Sequence, residues 1–204
     1  MSSSSSSKAK IIVGISGASG IIYGIEALKT LRKLEIETHL VVSKSALVTL
    51  SQESSLKASE LIELADVHYP NSDIGACIAS GSFQTMGMLV APCSIKTLSE
   101  IATGVTSSLL SRAADVVLKE RRKLVLMVRE TPLHAGHLES MLKVSNMGGI
   151  ITPPMPAFYT QPETIDDIVS QSVGRALDQF NVESGLVKRW AGNQARKQQK
   201  ENKK

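Results

Sequence analysis

The sequence predicts an α/β protein in which helices cover both faces of a parallel β-sheet. Short runs of β-branched residues, such as residues 11–16 (IIVGIS), alternate along the chain with segments that repeat apolar residues at helical spacing. Such alternation is typical of parallel, doubly wound sheets with right-handed crossovers. Aromatic residues make up only 3% of the chain, so the core must consist of aliphatic side chains, which favours helices packed on a sheet over a β-sandwich.

Five segments have the length and the β-branched composition of buried strands. Most of them end in or next to glycine, proline or serine, which begin a turn. The predicted strands cover residues 11–16, 38–43, 86–92, 124–129 and 149–153. The stretch 66–82 carries glycines and serines, and it is predicted to be irregular.

Helices are predicted between these strands and after the last one. The last helix is the clearest, because Thr164 is a good N-cap, Asp166 and Asp167 suit the first turn, and an apolar stripe extends to residue 180. Thr131 and Pro132 similarly predict an N-cap and a first helical position after the fourth strand. Further helices are predicted at residues 21–34, 44–53, 56–65 and 107–119, and another begins at Ser94.

The length and the charge distribution predict one folded domain with polar extensions. A chain of 204 residues is enough for a single domain with its own core. Residues 1–9 contain a serine run and are predicted to be disordered, residues 10–187 form the domain, and residues 188–204 form a basic tail. That tail has seven basic residues and one acidic residue, so its net charge of +6 exceeds the net charge of +4 for the whole chain. The domain itself is therefore near neutral, which argues against nucleic-acid binding.

The cysteines and histidines predict neither disulfides nor a metal site. Cys77 and Cys93 are the only cysteines and lack metal-type spacing, so we expect a reducing, cytoplasmic environment. His134 and His137 stand three residues apart, but no further His or Cys cluster completes a metal site. No apolar run reaches the ~18 residues of a membrane-spanning helix, so no membrane span is expected.

Glycine and hydroxyl residues follow the predicted strands, at the edge where parallel sheets bind ligands. Gly17, Ala18 and Ser19 follow the first strand, where glycine lets the backbone approach a ligand and free amides attract phosphate. Packing alone can also require glycine in such a turn. Ser43 follows the second strand, and residues 94–97 (SIKT) follow the third. Each serine suits helix capping as well as ligand binding, but three such strand ends favour a nucleotide-like ligand.

Charged residues at helix and strand ends are harder to interpret. Arg129 and Glu130 directly follow the fourth strand, where charges face the ligand crevice and arginine suits phosphate oxygens. An ion pair that joins two loops is the alternative. Lys119 ends a helix, where a cation stabilises the helix dipole, and Arg175 borders the apolar stripe of the last helix. We expect the functional groups to lie at the carboxyl edge of the sheet.

Seven stretches of the sequence belong together: SGASG, the SK after the second strand, SGSFQTMG, PCSIKTLS, RAADVVLKERR, VRETPLH and PAFY. Over roughly residues 10–190 they resemble the bacterial flavin prenyltransferase (UbiX-like) family. The resemblance implies a flavodoxin-like, Rossmann-type three-layer fold and a homo-oligomer, a dodecamer that binds FMN between subunits. It also implies metal-independent transfer of a dimethylallyl group from dimethylallyl monophosphate to N5 and C6 of reduced FMN. Prenylated FMN is the cofactor of a UbiD-type decarboxylase, often in ubiquinone biosynthesis.

The same resemblance implies a role for individual residues. Lys119 and Arg175 are implied to act at the prenyl phosphate, which their patterns alone do not predict. Lys123 replaces the proline that the family usually has after KERR, a difference at the surface. The implied FMN contacts are Gly17, Ala18, Ser19, Ser43, Ser94, Ile95, Lys96, Thr97 and Arg129; the implied donor contacts are Tyr159, Arg175 and Trp190; the implied catalytic residues are Ser19, Glu53, Lys119 and Glu130.

Two other functions stay open at this point. A flavin-dependent cysteine decarboxylase of the same fold would carry an asparagine-containing, PASANT-like stretch where this chain has PCSIKT. It would also use a histidine early in the chain, and none occurs before His39. A non-catalytic FMN carrier of the flavodoxin type would usually be acidic, with aromatic side chains flanking the flavin, and no such pair lies near the predicted turns.

Overall fold

The computed structural model describes residues 8–190 and 192, and its helices pack around one parallel sheet. Within these residues the sheet has six strands: β1 (Lys10–Ile15), β2 (Glu37–Val42), β3 (Val67–Pro70), β4 (Gly87–Cys93), β5 (Lys123–Val128) and β6 (Ile150–Ile151). Their spatial order is β3-β2-β1-β4-β5-β6. The order reverses between β1 and β4, which is where open α/β sheets bind ligands.

The strand β3 was not predicted from the sequence. It has only four residues, VHYP, it lies at an edge of the sheet, and none of its residues is fully buried. A short edge strand with proline lacks the continuous apolar run of a central strand. Without β3 the remaining strands would have the 2-1-3-4-5 order of flavodoxin, and with it the order is the 3-2-1-4-5-6 of the Rossmann fold. The predicted flavodoxin-like, Rossmann-type α/β fold is confirmed.

Helices connect the strands close to the predicted positions. The helices are α1 (Ile21–Lys33), α2 (Lys44–Glu53), α3 (Ala58–Glu63), α4 (Ile95–Thr103), α5 (Leu109–Lys119), α6 (Ala135–Asn146) and α7 (Ile165–Asp178). Short 3₁₀ turns cover Cys77–Ala79 and Phe158–Thr160. The bounds of α2 are those predicted, and those of α1, α3 and α5 differ by one or two residues.

The helices form one layer on each face of the sheet. Ile11, Val13 and Ile15 of β1 pack in one cluster with α1 and α7, whereas Ile12 packs in a second cluster with α4 and α5. Successive side chains of a strand point to opposite faces, so this alternation buries both faces of the sheet. The helices therefore cover the faces of the sheet, and the loops lie at its carboxyl and amino edges, where the strands end and begin.

The expectation that a helix begins at Thr131 and Pro132 is wrong. The helix α6 begins at Ala135, and the N-cap is His134, whose Nδ1 accepts a hydrogen bond from a first-turn backbone N–H at 3.1 Å. The Thr131–Pro132 bond is cis, and the Thr131 N–H donates to the carboxylate of Glu130. The imidazole therefore takes the capping role that the sequence pattern had assigned to the threonine hydroxyl.

The capping prediction for α7 is confirmed. Thr164 Oγ1 accepts a hydrogen bond from Asp167 N at 3.1 Å, and Asp167 Oδ2 accepts one from Thr164 N at 2.9 Å. This reciprocal capping box satisfies two backbone donors at the start of the helix.

Both predicted extensions fall largely outside the described residues. Residues 1–7 of the serine run and residues 191 and 193–204 of the basic tail are not among them. The boundaries at 1–9, 10–187 and 188–204 therefore stay predictions. Among the described helices, none combines the length and the apolar character needed to cross a membrane.

Candidate functional site

Ser16 joins the ends of the two central strands, β1 and β4. Its Oγ donates a hydrogen bond to Pro92 O at 3.0 Å and accepts one from Ser94 N at 2.7 Å. The Ser16 N–H also donates to Pro92 O, at 3.2 Å. Ser16 is 1% exposed, so these bonds are shielded from water and hold the two loops in a fixed relation.

The loops after β2 and β5 join the same edge through backbone hydrogen bonds. Ser43 N donates to Ile15 O at 2.9 Å, and Arg129 N donates to Cys93 O at 3.0 Å. The structure therefore brings Ser43, Ser94 and Arg129 to one edge of the sheet, around the point where the strand order reverses.

The serine hydroxyls at this edge cap two helices. Ser43 Oγ accepts a hydrogen bond from Ala46 N at 3.1 Å, and Ser94 Oγ accepts one from Thr97 N at 3.3 Å. Each cap satisfies one of the four N–H groups that have no acceptor within the helix. The first amides of α2 and α4 stay open to an anion, which the positive end of each helix dipole also favours.

The glycine turn after β1 is constrained by packing and by a carboxylate. A Cβ on Gly17 would lie 2.3 Å from Ser45 Cβ, so the approach of α2 requires glycine there. Gly20 has φ 102° and is the N-cap of α1 without a side-chain cap. Instead, Glu53 Oε2 accepts from Gly20 N at 2.8 Å and from Ile21 N at 3.0 Å. The expectation that this turn offers free amides to phosphate is therefore wrong for these two N–H groups.

Glu53 is held as a carboxylate at this edge. Partial burial raises its pKa, but hydrogen bonds from the Ser19 hydroxyl and from the Gly20 and Ile21 amides, with the nearby charge of Arg129, lower the pKa below its usual value. Burial likewise raises the pKa of Tyr23, and Arg129 partly opposes that change. Tyr23, which lies on the first turn of α1, was not predicted to be a site residue.

The guanidinium of Arg129 is exposed at the end of β5. Among the residues that the structure describes, no carboxylate lies within ion-pair distance of it, so the alternative of an ion pair between loops does not apply. Glu130 is also exposed, and its Oε1 accepts a hydrogen bond from Thr131 N at 3.0 Å. The Arg129 charge still acts on Glu53 and Tyr23, but an exposed guanidinium without a carboxylate in ion-pair contact is suited to bind phosphate oxygens.

Lys96 forms an ion pair within α4. Its Nζ lies 3.2 Å from Glu100 Oε1, one turn further along α4, and its side chain is 78% exposed. Ile95 is half-buried and Thr97 is buried, so both pack under the first turn of the helix.

Lys119 lies at the opposite, amino edge of the sheet. It ends α5 just before β5 begins, it pairs with Glu120, and a Cβ on Gly81, in the loop that leads into β4, would lie 2.7 Å from its Nζ. The six residues of β5, at ~3.3 Å each, put about 20 Å between Lys119 and Arg129 within one chain. The expectation that all functional groups share the carboxyl edge is wrong here, because a helix that precedes a parallel strand must return the chain to the amino edge.

The residues implied to hold the prenyl donor gather along α7. The rings of Tyr159 and Trp190 meet edge to face, with their centroids 5.5 Å apart. Tyr159 Oη accepts a hydrogen bond from Gln171 Nε2 at 3.5 Å, and Arg175 Nη1 donates to Asp178 Oδ2 at 2.7 Å. Arg175 also borders a cavity of about 420 Å³.

The end of α7 lies beside the amino edge of the sheet. Lys123, the first residue of β5, donates a hydrogen bond to Gln179 O, and Phe180 lies 3.1 Å from the Cβ position of Gly87, the first residue of β4. Arg175 is therefore also separated from the carboxyl-edge loops of its own chain, which is a second exception to the predicted single edge.

Two polar residues of α7 were not predicted to contribute to the site. Gln171 is 5% exposed, and a polar residue within the buried stripe of the helix was the available signal. Asp178 offered no comparable signal, because its second partner, Arg189, lies 11 residues further along the chain.

Comparison with known proteins identifies the family of the chain. A family model described as Flavoprotein matches residues 1–177. The flavin prenyltransferase UbiX of Neisseria meningitidis serogroup B is 54% identical over 183 residues, which cover 90% of this chain and 97% of that protein. The chain belongs to the Flavoprotein family and, within it, to the flavin prenyltransferases.

Solved structures of similar proteins agree with this membership. AnUbiX (PadA1), in complex with FMN and dimethylallyl pyrophosphate, has a TM-score of 0.90 and 48% identity, covering 91% of this chain and 98% of that chain. The dodecameric FMN-dependent UbiX-like decarboxylase of Escherichia coli O157:H7 has a TM-score of 0.88 and 52% identity, covering 90% and 100%. The flavin prenyltransferase fold therefore extends over nearly all of the described residues.

Proposed function

We propose that this chain transfers the dimethylallyl group of dimethylallyl monophosphate to reduced FMN and releases inorganic phosphate. The observation that carries the proposal is the exposed residue Arg129, which has no carboxylate within ion-pair distance among the described residues and whose backbone bonds to the end of β4, next to the start of α4. A phosphate is the anion that such a group suits. Membership of the flavin prenyltransferases selects FMN and a prenyl phosphate, and neither the cysteine decarboxylase nor the FMN carrier has comparable support.

FMN binds at the carboxyl edge, between the loops that follow β1, β2, β4 and β5. The residues fit a phosphorylated flavin, because the first turns of α2 and α4 keep open amides and Arg129 supplies a cation. The proposed contacts are Gly17, Ala18, Ser19, Ser43, Ser94, Ile95, Lys96, Thr97 and Arg129. Reduced FMN supplies the nucleophilic positions N5 and C6.

A second chain completes the donor site. Lys119 and Arg175 lie away from Arg129 within one chain, so a cleft that contains all three cations needs a neighbouring subunit. The relative from Escherichia coli O157:H7 is dodecameric, which supports a homo-oligomer, here a dodecamer, as the functional state. Exposed apolar side chains in the first two turns of α1 and α2, such as Ile22, Leu47 and Val48, offer surface that such a neighbour would cover.

The residues of the site assist the departure of the phosphate. The bond between the prenyl carbon and the phosphate oxygen breaks, and the oxygen keeps the electron pair. Lys119, Arg129 and Arg175 neutralise the resulting charge, and Glu130 donates a proton to the leaving phosphate, a contribution of roughly 10²–10⁴-fold. Tyr159, Arg175 and Trp190 hold the donor. No metal takes part in these steps.

Ser19 and Glu53 act on the flavin side of the site. The hydrogen bond from Ser19 to Glu53 helps to lower the pKa of Glu53, so its carboxylate is charged at neutral pH. A charged acceptor fixed at this place can orient N–H groups of the reduced flavin and accept a proton that the transfer releases.

Anaerobic incubation with reduced FMN and dimethylallyl monophosphate tests the function. We expect stoichiometric inorganic phosphate and a flavin that is heavier by one prenyl group, detected by mass spectrometry. Oxidised FMN under the same conditions is the matched control and should give neither product. If the protein binds reduced FMN but forms no prenylated flavin, the proposed transferase activity is wrong.

Two further aspects of the proposal concern the cell rather than the site. The product passes to a UbiD-type decarboxylase as its cofactor. The enzyme works in the cytoplasm, since Cys77 and Cys93 are both free thiols, as is usual in a reducing compartment.

A further inference from the structure

Residues 182–190, called the C-terminal strap below, lie along one face of α7. A Cβ on Gly174 would lie 2.7 Å from Val187 Cγ2 and 3.0 Å from Leu186 Cβ, so the strap crosses α7 in close contact at this glycine. Leu186 packs against the hydrophobic core, and Val182 is buried in it. The strap is therefore docked on the helix, and Trp190 lies at its end.

Gln171 uses both ends of its amide to link the strap to Tyr159. Its Oε1 accepts a hydrogen bond from Lys188 N at 2.9 Å, and its Nε2 donates to Tyr159 Oη at 3.5 Å. Gln171 is 5% exposed, so its amide is shielded from bulk water, although Tyr159 itself is 44% exposed. One buried side chain thus holds the backbone next to Trp190 and the phenol that the Trp190 ring contacts.

Asp178 has a matching role at a position two turns further along α7. Its Oδ2 accepts from Arg175 Nη1 at 2.7 Å, and its two oxygens accept from both terminal nitrogens of Arg189 at 3.1 and 3.0 Å. The side chain of Asp178 is only 12% exposed, whereas that of Arg189 is 53% exposed. Arg189 is anchored further by Glu183, at 3.0 Å.

This arrangement restrains Arg175 while leaving it able to bind. Asp178 takes one N–H of Arg175, and a guanidinium has five. The side chain of Arg175 is 55% exposed, so a ligand can reach it. The bidentate bond from Arg189 fixes the carboxylate that in turn fixes Arg175, which reduces the rotamer freedom lost when an anion binds.

We propose that Gln171 and Asp178 are positioning residues that hold Tyr159, Arg175 and Trp190 in one arrangement for the donor phosphate. Neither needs to touch the donor or the flavin: each acts through a residue that does. The role of these residues in donor binding rests on the proposed function. Their docking of the strap does not, because it follows from the hydrogen bonds described above.

Two variants and one control test the inference in the full-length protein. Gln171→Leu removes both amide hydrogen bonds at similar volume, and Asp178→Asn removes the charge that pairs with the two arginines. Asp166→Asn is the control, since it removes a charge from the exposed first turn of the same helix, at a residue with no hydrogen bond or ion pair to the described part of the strap. Circular dichroism and thermal unfolding first establish that each variant is folded.

The only tryptophan of the chain, Trp190, reports strap docking without turnover. In both test variants we expect Trp190 emission to shift to longer wavelength and acrylamide quenching to increase, with no change in the control. The KM for dimethylallyl monophosphate should rise by about tenfold, in line with the loss of one or two hydrogen bonds, while kcat and FMN affinity stay within about twofold. Asp178→Glu, which keeps the charge, should recover most of the loss.

Three results would overturn the inference. Unchanged Trp190 emission and quenching in both folded variants would show that these side chains do not dock the strap. An altered emission with an unchanged KM for the donor would show that docking does not position the donor site. Equal losses of donor and FMN affinity would indicate general damage. If the wild type forms no prenylated flavin, the proposed function fails, and the emission measurement still decides whether the two residues dock the strap.

Discussion

The carboxylate of Glu53 lies 2.8 Å from the backbone nitrogen of Gly20, at the end of one helix and the start of another. Gly20 has no side chain with which to cap α1, so a residue 33 positions further along the chain takes that role. A carboxylate at a helix N-terminus is favoured by the helix dipole. Glu53 therefore supplies the negative charge that the N-terminus of α1 favours. We expect the ligand phosphate to bind at α2, α4 and Arg129 instead.

Replacing Glu53 should make stability less dependent on pH. The folded pKa is below the ordinary value of 4.5, so the charged carboxylate stabilises the fold above pH 4.5 and this contribution is lost as the pH falls through the folded pKa. Glu53→Ala should cost about 1 kcal/mol at pH 7, as for other N-caps, and much less at pH 3. Urea unfolding at both pH values measures the difference, and an equal cost at both would contradict the assigned capping charge.

Arg129→Ala should weaken FMN binding. Loss of charge-assisted hydrogen bonds to phosphate is typically worth about 1.5–3 kcal/mol, or roughly a 10- to 100-fold increase in Kd. Arg129→Lys should recover only part, because lysine lacks the bidentate geometry. Lys33→Ala, at the exposed end of α1, is a matched control for the lost positive charge. Fluorescence titration with FMN measures the affinities, and a Kd for Arg129→Ala equal to that of the control would remove the phosphate role.

Glu130→Gln should leave FMN binding largely intact and slow turnover. The glutamine can still accept the hydrogen bond from Thr131 N that the carboxylate accepts now, so the loop should keep its shape. It cannot donate a proton as a carboxylic acid, so we expect a decrease in kcat of about 10²-fold or more. Single-turnover phosphate release measures this step, and an unchanged rate would exclude the acid role.

Arg175→Ala should impair the donor more than the flavin. A rise in KM for dimethylallyl monophosphate with little change in FMN affinity is expected, because Arg175 lies with Tyr159 rather than at the FMN edge. Isothermal titration with FMN and initial rates at varied donor concentration separate the two effects. The reverse pattern would mean that Arg175 has been assigned to the wrong ligand.

Mixing two inactive variants should restore activity if the site lies between subunits. Lys119→Ala and Arg129→Ala each remove one cation, and these cations lie about 20 Å apart in one chain. Unfolding the two variants together and refolding them as mixed oligomers should create interfaces that keep both wild-type residues. Phosphate release well above that of either variant refolded alone is the expected result, whereas a site within one chain would give no such increase.

The two cysteines should differ sharply in reactivity. Cys93 is fully buried, and burial raises the pKa of its thiol, so the thiolate is scarce. Cys77 is exposed, with its Sγ 3.0 Å from Tyr69 Oη. Titration with a disulfide reagent should modify Cys77 alone in the native protein and both thiols after unfolding. Rapid native modification of Cys93 would contradict its inert, structural role.

Most of the sheet was predictable because the central strands are continuous apolar runs. Residues 38–43 and 124–129, for example, were predicted within one residue of the observed strands. The strand β3 was missed because an edge strand of four residues, three half-buried and one exposed, carries no such run. At Thr131 the pattern predicted a helix start, but the neighbouring carboxylate of Glu130 and the imidazole of His134 were competing partners that the pattern does not weigh.

The candidate site was only partly predictable. Ser43 and Ser94 follow buried strands, so their common edge follows from the parallel sheet alone. Lys119 belongs to the opposite edge, since it precedes a strand instead of following one. A residue type and a resemblance indicate a role, but they do not say from which side of the molecule, or from which chain, the side chain reaches the ligand.

By itself the sequence determined five of the six described strands, most helix starts and the family, because periodicity, capping and contiguous motifs depend on residues close together in the chain. Only the tertiary structure decided that Glu53 caps α1, that Arg129 lacks an ion-pair partner among the described residues, and that Gln171 and Asp178 dock the strap. Each of these depends on side chains that folding brings together or keeps apart. Hydrogen bonds and charges act over a few ångströms in space, however far apart the partners are in sequence.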